Sequence, residues 1–185
     1  MSFVHLHNHT HYSLLDGLTK IDDVIAKAKE QGSPAVAITD HGSMYGVVEF
    51  YEKCTKAGIK PILGVETYLA PNSRLDKNTR EDARNFHLLL LAENNQGYQN
   101  LIKLVSLAHL EGYYYKPRID WEILTKYHEG IIACSACLAG EIPRLVAGQK
   151  MDKARERVKE YQDLFGKDNF FLEIMDHPEL DGQAA

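Results

Sequence analysis

At 185 residues, with 44% hydrophobic and 25% charged side chains, the chain has the composition of one globular domain with room for a substantial core. No apolar run approaches the roughly 20 residues that span a bilayer, and no basic stretch followed by an apolar one opens the chain; a cytoplasmic protein is expected, neither membrane-bound nor secreted. Three cysteines, Cys54, Cys134 and Cys137, are too few for a disulfide framework, and a formal charge of −5 argues against gripping nucleic acid by bulk positive charge, unless bound cations offset carboxylates locally.

The first element carries histidines at every second position, His5, His7, His9 and His11, behind Phe3-Val4. Phe3 to His7 reads as a strand, in which alternate side chains share a face, so the imidazoles are expected on one side. Imidazole contributes little to a core and suits borderline divalent cations, so that face reads as a metal site. Thr19-Lys20-Ile21-Asp22 resembles a capping box, and Ile21, Val24, Ile25 and Ala28 follow at helical spacing up to a stop at Gly32. The short apolar run Ala35 to Thr39 predicts a strand buried on both faces. A helix over Val47 to Ala57, ended by Gly58, precedes a third strand within Ile59 to Tyr68. Residues 70–86 are polar and read as an excursion loop. A fourth strand at Leu88 to Leu91 follows, then a helix marked by Leu101, Leu104, Val105 and Ala108. Ile131 to Ala133 makes a fifth strand, and a helix lies near Glu141 to Ala147. Ala154, Val158, Tyr161 and Phe165 mark the last helix, before a sixth strand over Phe170 to Ile174.

This alternation predicts an α/β fold with a parallel sheet covered by helices, either an open doubly wound sheet or a closed barrel. No glycine-rich phosphate-binding fingerprint follows any strand, which disfavours nucleotide-binding versions of the open sheet. A barrel gathers its chemistry at the carboxyl ends of its strands. His7 and His9, Asp40-His41 and Glu66 fall there, whereas His87 precedes its apolar run. After the sixth strand no further one is visible, so a barrel is expected to be cut short.

His7-x-His9-Thr10, Asp16, Asp40-His41, Gly64-Val65-Glu66 and Phe86-His87 together resemble the PHP superfamily, named for polymerases and histidinol phosphatase. Tyr12 to Gly17, Ala37 to Gly42, Gly58 to Gly64, Gly97 to Leu101, Lys116 to Asp120 and Gly140 to Pro143 are similar to the amino-terminal domain of bacterial DNA polymerase III alpha subunits. The resemblance runs from residue 3 to about residue 177 and implies a distorted, TIM-like (β/α)7 barrel spanning the whole chain, without palm, fingers or thumb. It further implies up to three divalent metal ions, zinc by the histidine and cysteine content, with manganese or magnesium also compatible with the carboxylates. His7 and His9 would hold the first ion, and Glu66 would bridge it to a second that also takes His87 and Cys137. Asp16 and His41 would contribute to a third, while an Asp-x-His pair of the family has no counterpart here.

Glu66, His41 and Asp40 are the residues expected to carry the chemistry, with Asp40 orienting the His41 ring. The implied reaction is phosphodiester hydrolysis, 3′–5′ exonuclease proofreading at a DNA primer end, since clustered divalent ions make hydroxide available near neutral pH. The implied partners are DNA, the rest of the alpha subunit and other replicase subunits, with no membrane. Two other functions fit the residues: a non-catalytic docking module of the polymerase, and a free-standing phosphatase acting on a small ester such as histidinol phosphate. The nucleotidyl-transfer site of a polymerase is not within these residues.

Several residues carry open readings. His5 is either a ligand or a hydrogen-bonding group of the barrel floor. His11, His109 and His128 read as surface residues. Cys134 and Cys137 form a CxxC whose redox use lacks a thioredoxin context. Asp176-His177 mimics Asp40-His41 but resembles a family histidine outside the ligand set. Tyr113 to Arg118 mixes rings and cations that either stack bases and hold phosphates or pack a loop. Arg74 to Arg84 reads as a solvated loop.

Overall fold

The computed structural model describes residues 3–175. Among the described residues six helices and six strands form an α/β fold: α1 Ile21–Glu30, β1 Ala35–Ile38, α2 Val47–Ala57, β2 Lys60–Leu69, β3 Phe86–Ala92, α3 Asn95–Leu110, β4 Arg118–Ile119, α4 Trp121–Lys126, β5 Ile131–Cys134, α5 Glu141–Ala147, α6 Met151–Phe165 and β6 Phe170–Phe171. Among the described residues no helix is long and apolar enough to cross a membrane.

The helices form where apolar spacing and end chemistry coincide. In α1 the buried Ile21, Ile25 and Ala28 line one face, with Asp22 and Asp23 in the first turn and Lys27 and Lys29 in the last, each favourably placed on the helix dipole. The expected capping box does not form: Lys20 is the N-cap without a side-chain hydrogen bond, because Thr19 bridges back to Thr10. Asn94 and Asp120 do cap α3 and α4 through Gly97 N–H and Ile123 N–H. Helix α4 and strand β4, both short, were not legible in the apolar pattern.

The sheet is mixed rather than parallel. Its order is β1-β2-β3-β5-β6, with β4 beside β2. The β1/β2, β2/β4 and β5/β6 pairs are parallel, whereas β3 runs antiparallel to both β2 and β5. A continuous run such as Leu88–Leu91 reports burial on both faces but carries no direction, so the reversal was invisible. It explains His87: in the β2/β3 register Tyr68 faces His87, so the start of β3 lies beside the end of β2.

Residues 3–9 do not form the expected regular strand. Ala37 N–H donates to His5 O and Thr39 N–H to Asn8 O, so a step of three residues on the segment meets a step of two on the β1 side. Asn8 Nδ2 and the Thr39 hydroxyl fill the gap, bonding to His5 O, Ala37 O and Asn8 O. Such a bulge breaks the period-two alternation and re-aims side chains. The far end of the sheet also departs from expectation, since β6 covers only Phe170–Phe171 of the expected five residues. The sheet curls until its two ends meet: His7 lies 2.7 Å from Glu173, just past β6.

One apolar core sits between the sheet and α3 to α6, built around Val65, Leu88, Leu90, Leu101, Leu104 and Tyr161. A second joins α1, α2 and β1 through Ile21, Ile38, Val47 and Phe50. The excursion loop is not a free solvated loop. Arg118 is fully buried, donating to the carbonyls of Gly112, Asp82, Arg74 and Asp76. Arg74 is buried too, against Asp120, Glu111 and Glu122. A guanidinium held by four carbonyls offers nothing to a phosphate, so Arg118 leaves the base-stacking reading of Tyr113 to Arg118.

Candidate metal centre

Alternation along β2 places Glu66. Val65 and Leu69 enter the core, so Glu66 and Tyr68 point to the opposite face, inside the curl. Glu66 N–H donates to Asp40 O and Gly42 N–H to Glu66 O, which clamps His41 beside the carboxylate. On β3, Leu88 and Leu90 take the core side and His87 the inner one. His87 N–H donates to Ala139 O, which brings up the turn bearing Cys137.

Glu66, 1% exposed, is the hub. Its Oε1 lies 3.2 Å from His7 Nε2, 3.0 Å from His87 Nδ1 and 3.9 Å from Cys137 Sγ. Its Oε2 lies 2.7 Å from His41 Nδ1 and 3.5 Å from His9 Nε2. His41 Nε2 reaches Asp16 at 2.8 Å, and Cys137 Sγ stands 3.6 Å from His87 Nδ1. The His9 and His41 rings stack at 4.0 Å, and Tyr68 walls the cluster from one side, 5.9 Å from the His41 ring and 5.3 Å from that of His87.

Two sets have the ligand spacing for a metal ion, His7 with His9 and Glu66, and His41 with Glu66 and His87. The residue types fit: imidazoles, a thiol and carboxylates are the donors of borderline divalent cations. The hydrogen-bond inventory fits as well. Among the described residues His9 Nδ1, His41 Nδ1 and Glu66 Oε2 are buried without a hydrogen-bond partner, although His41 and Glu66 approach closely. Native folds rarely leave such lone pairs unused. The second set joins His41 to His87, which the resemblance had divided between two ions.

The electrostatics follow from crowding. Burial alone would raise the Glu66 carboxyl, but His41, His7 and His87 hold it far below the usual carboxylate range. Burial disfavours protonated His7, yet hydrogen bonds to Glu173 and Glu66 override it and raise its pKa to about 10. His87 rises to about 9, where burial is outweighed by Cys137 and Glu66. His41 is raised against burial by Glu66 and Asp16, while His9 is lowered by burial and by the charge of His41. Protons here occupy the positions that cations would take, so metal uptake must expel them.

All seven expected ligands converge, with Asp16 the most open at 56% side-chain exposure. Asp40 departs from its expected role. It is buried, accepting from Thr10 N–H at 2.6 Å, Thr10 Oγ1 at 2.8 Å and Ser13 Oγ at 2.7 Å. Both His41 ring nitrogens face other carboxylates, so Asp40 orients the backbone of the ligand loop and not the imidazole. That loop is tight enough that a Cβ on Gly17 would sit 1.8 Å from Thr10 O.

The four histidines of the opening run do not share a face: His5 is exposed against Phe3, and His11 is exposed against Tyr12. His109 is half-buried, bonded to Gly42 O, and is no simple surface residue. Burial raises the Cys134 thiol to about 12, the reverse of a redox-active cysteine. Asp176 and His177 lie outside the described residues. The residue that sequence reasoning missed is Glu173, which contacts His7. Its only signal was a carboxylate inside an apolar strand pattern.

The PHP domain model matches residues 5–177. The chain belongs to the PHP domain family. This PHP domain is 47% identical over 178 residues to the DNA polymerase III subunit alpha of Treponema pallidum (strain Nichols), covering 96% of the chain and 15% of that protein. It is 49% identical over 181 residues to the DNA polymerase III subunit alpha of Thermus aquaticus, again 96% of the chain and 15% of the relative. The PHP domain thus spans about 15% of the length of these relatives. Among solved structures, an amidohydrolase from Chromobacterium violaceum is similar with a TM-score of 0.41 and 22% identity, over 57% of this chain and 33% of that one.

Proposed function

We propose that this PHP domain is a metal-dependent phosphodiesterase belonging to a bacterial replicative DNA polymerase alpha subunit, and that it trims the 3′ end of a primer strand as a 3′–5′ exonuclease. The observation that carries the reading is the Glu66 hub, a buried carboxylate met by four imidazoles and a thiol with unpartnered lone pairs among them. High identity to proteins named DNA polymerase III subunit alpha supports the polymerase context. The rest of that subunit, DNA and other replicase subunits are then its partners, in the cytoplasm.

His7 and His9 with Glu66 would hold one ion, and His41, His87, Cys137 and Asp16 would share further ones; zinc suits the nitrogen and sulfur donors best. Such ions, when bound, make hydroxide available near neutral pH and stabilise charge on a phosphodiester. The chain's own part is to place the donors. Glu66 presents one oxygen to each half of the cluster. Asp40 fixes the turn that carries Asp16. Tyr68, buried and with its hydroxyl pushed up to about 12 by burial and by Glu66, closes one wall against water.

The test is metal content after loading with zinc or manganese, together with digestion of 3′-labelled single-stranded DNA. Uptake of metal with release of 3′ nucleotides, both lost in Glu66→Gln, supports the reading. A full chain that binds no metal overturns it in favour of a docking module.

A further inference from the structure

The carboxylate that orients a ligand histidine is not the one beside His41 in sequence. From the geometry we infer that Glu173 is the positioning residue of His7. This inference rests on the reading of His7 as a metal ligand. Glu173 Oε1 lies 2.7 Å from His7 Nδ1, while the other ring nitrogen, Nε2, faces Glu66 at 3.2 Å. The two carboxylates thus address different edges of one imidazole. A carboxylate oxygen only accepts, so Nδ1–H is held by Glu173, and Nε2, turned to the cluster, is the nitrogen left to a metal once its own proton is expelled.

Glu173 is itself held in place. Its N–H donates to Ser135 Oγ at 2.9 Å, and Ser135 N–H donates to Phe171 O at 3.0 Å, so the chain after β6 is pinned along the end of β5. The side chain is 15% exposed, and Oε2 is buried without a partner. Among the described residues the carboxylate has no hydrogen-bond partner besides His7. The contact also joins the segment beside β1 to the segment after β6, 166 residues apart.

The experiment compares the full chain with Glu173→Ala and Glu173→Gln, using Zn2+ competed against a chelator and selective 15N-histidine NMR. In Glu173→Ala, zinc affinity falls by roughly 10–100-fold, and the exchange-protected Nδ1–H resonance of His7, assigned with His7→Gln, disappears while far-UV circular dichroism is unchanged. In Glu173→Gln the amide oxygen still accepts, so the resonance remains and part of the affinity returns. Zinc affinity within twofold of the parent in Glu173→Ala, or a parent His7 Nδ1–H that exchanges as freely as that of His5, overturns the assignment. If the parent binds no zinc, the proposed hydrolase fails, yet the resonance still decides whether Glu173 holds His7.

Discussion

Two of the buried charges in this domain, Arg118 and Glu66, are treated in opposite ways. Arg118 is fully buried, and its guanidinium is matched by four backbone carbonyls. Glu66 is almost as buried, yet it is crowded by groups that compete for its two oxygens and leave lone pairs unpartnered. The first arrangement is complete and has no use for a ligand. The second has the donor set and the spacing that could hold cations. A buried charge marks a candidate site when its surroundings are over-supplied with donors and under-supplied with partners, not because it is buried.

The contrast can be broken most decisively at Arg118. Arg118→Met leaves four carbonyls unpaired, two of them in buried hydrogen bonds, and frees the 70–85 loop; a loss of about 3 kcal/mol or more is expected in urea unfolding. Glu66→Gln is the opposite case: metal binding is abolished while the metal-free fold changes by no more than about 1 kcal/mol, since the imidazoles can release their protons. A Glu66 variant as damaged as Arg118→Met would erase the distinction. Gly17→Ala lies between the two regions. Its Cβ meets Thr10 O, so the loop carrying Asp16 must shift; a cost of about 1–3 kcal/mol and weaker metal binding are expected together.

Cysteine labelling sharpens the comparison with less perturbation. In the metal-free chain at pH 8 an alkylating agent is expected to modify Cys137 and spare Cys54 and Cys134, whose thiols burial raises to about 11 and about 12; zinc should then protect Cys137. The last contrast is in pH dependence. The His7 pKa of about 10 is above its ordinary 6.5, so protonated His7 stabilises the metal-free fold fully below pH 6.5, and that contribution fades as pH rises through 10. Metal-free chemical denaturation at pH 6 and pH 10 reads this directly. Glu173→Ala should shrink the difference.

Much of the site was legible because its residue types are unusual where they stand. Alternating histidines, Asp40-His41 after an apolar run and a glutamate inside a strand each lack a core role, and all seven expected ligands do meet. The helices α1, α2 and α6 were legible for the same reason, since apolar spacing and stops coincide there. Three things were not. The reversal of β3 is a choice of direction, to which burial is blind. The bulge against β1 depends on Asn8 and Thr39 side chains replacing backbone bonds. The role given to Asp40 followed from its place beside His41, whereas the chain turns so that the two side chains diverge.

By itself, then, the sequence determined an α/β domain, a histidine- and carboxylate-rich set of candidate ligands and the end of the sheet where most of it gathers, since residue type and periodicity are local properties; the division of that set among metal ions is what the resemblance to the PHP family implies. Tertiary structure alone decided which carboxylate serves which imidazole. Asp40 went to Thr10 and Ser13 in the turn that carries Asp16, and Glu173 came from the far edge of the sheet to His7. Hydrogen-bond partnership depends on angles and on ångström distances between segments 166 residues apart, and no pattern along the chain encodes those.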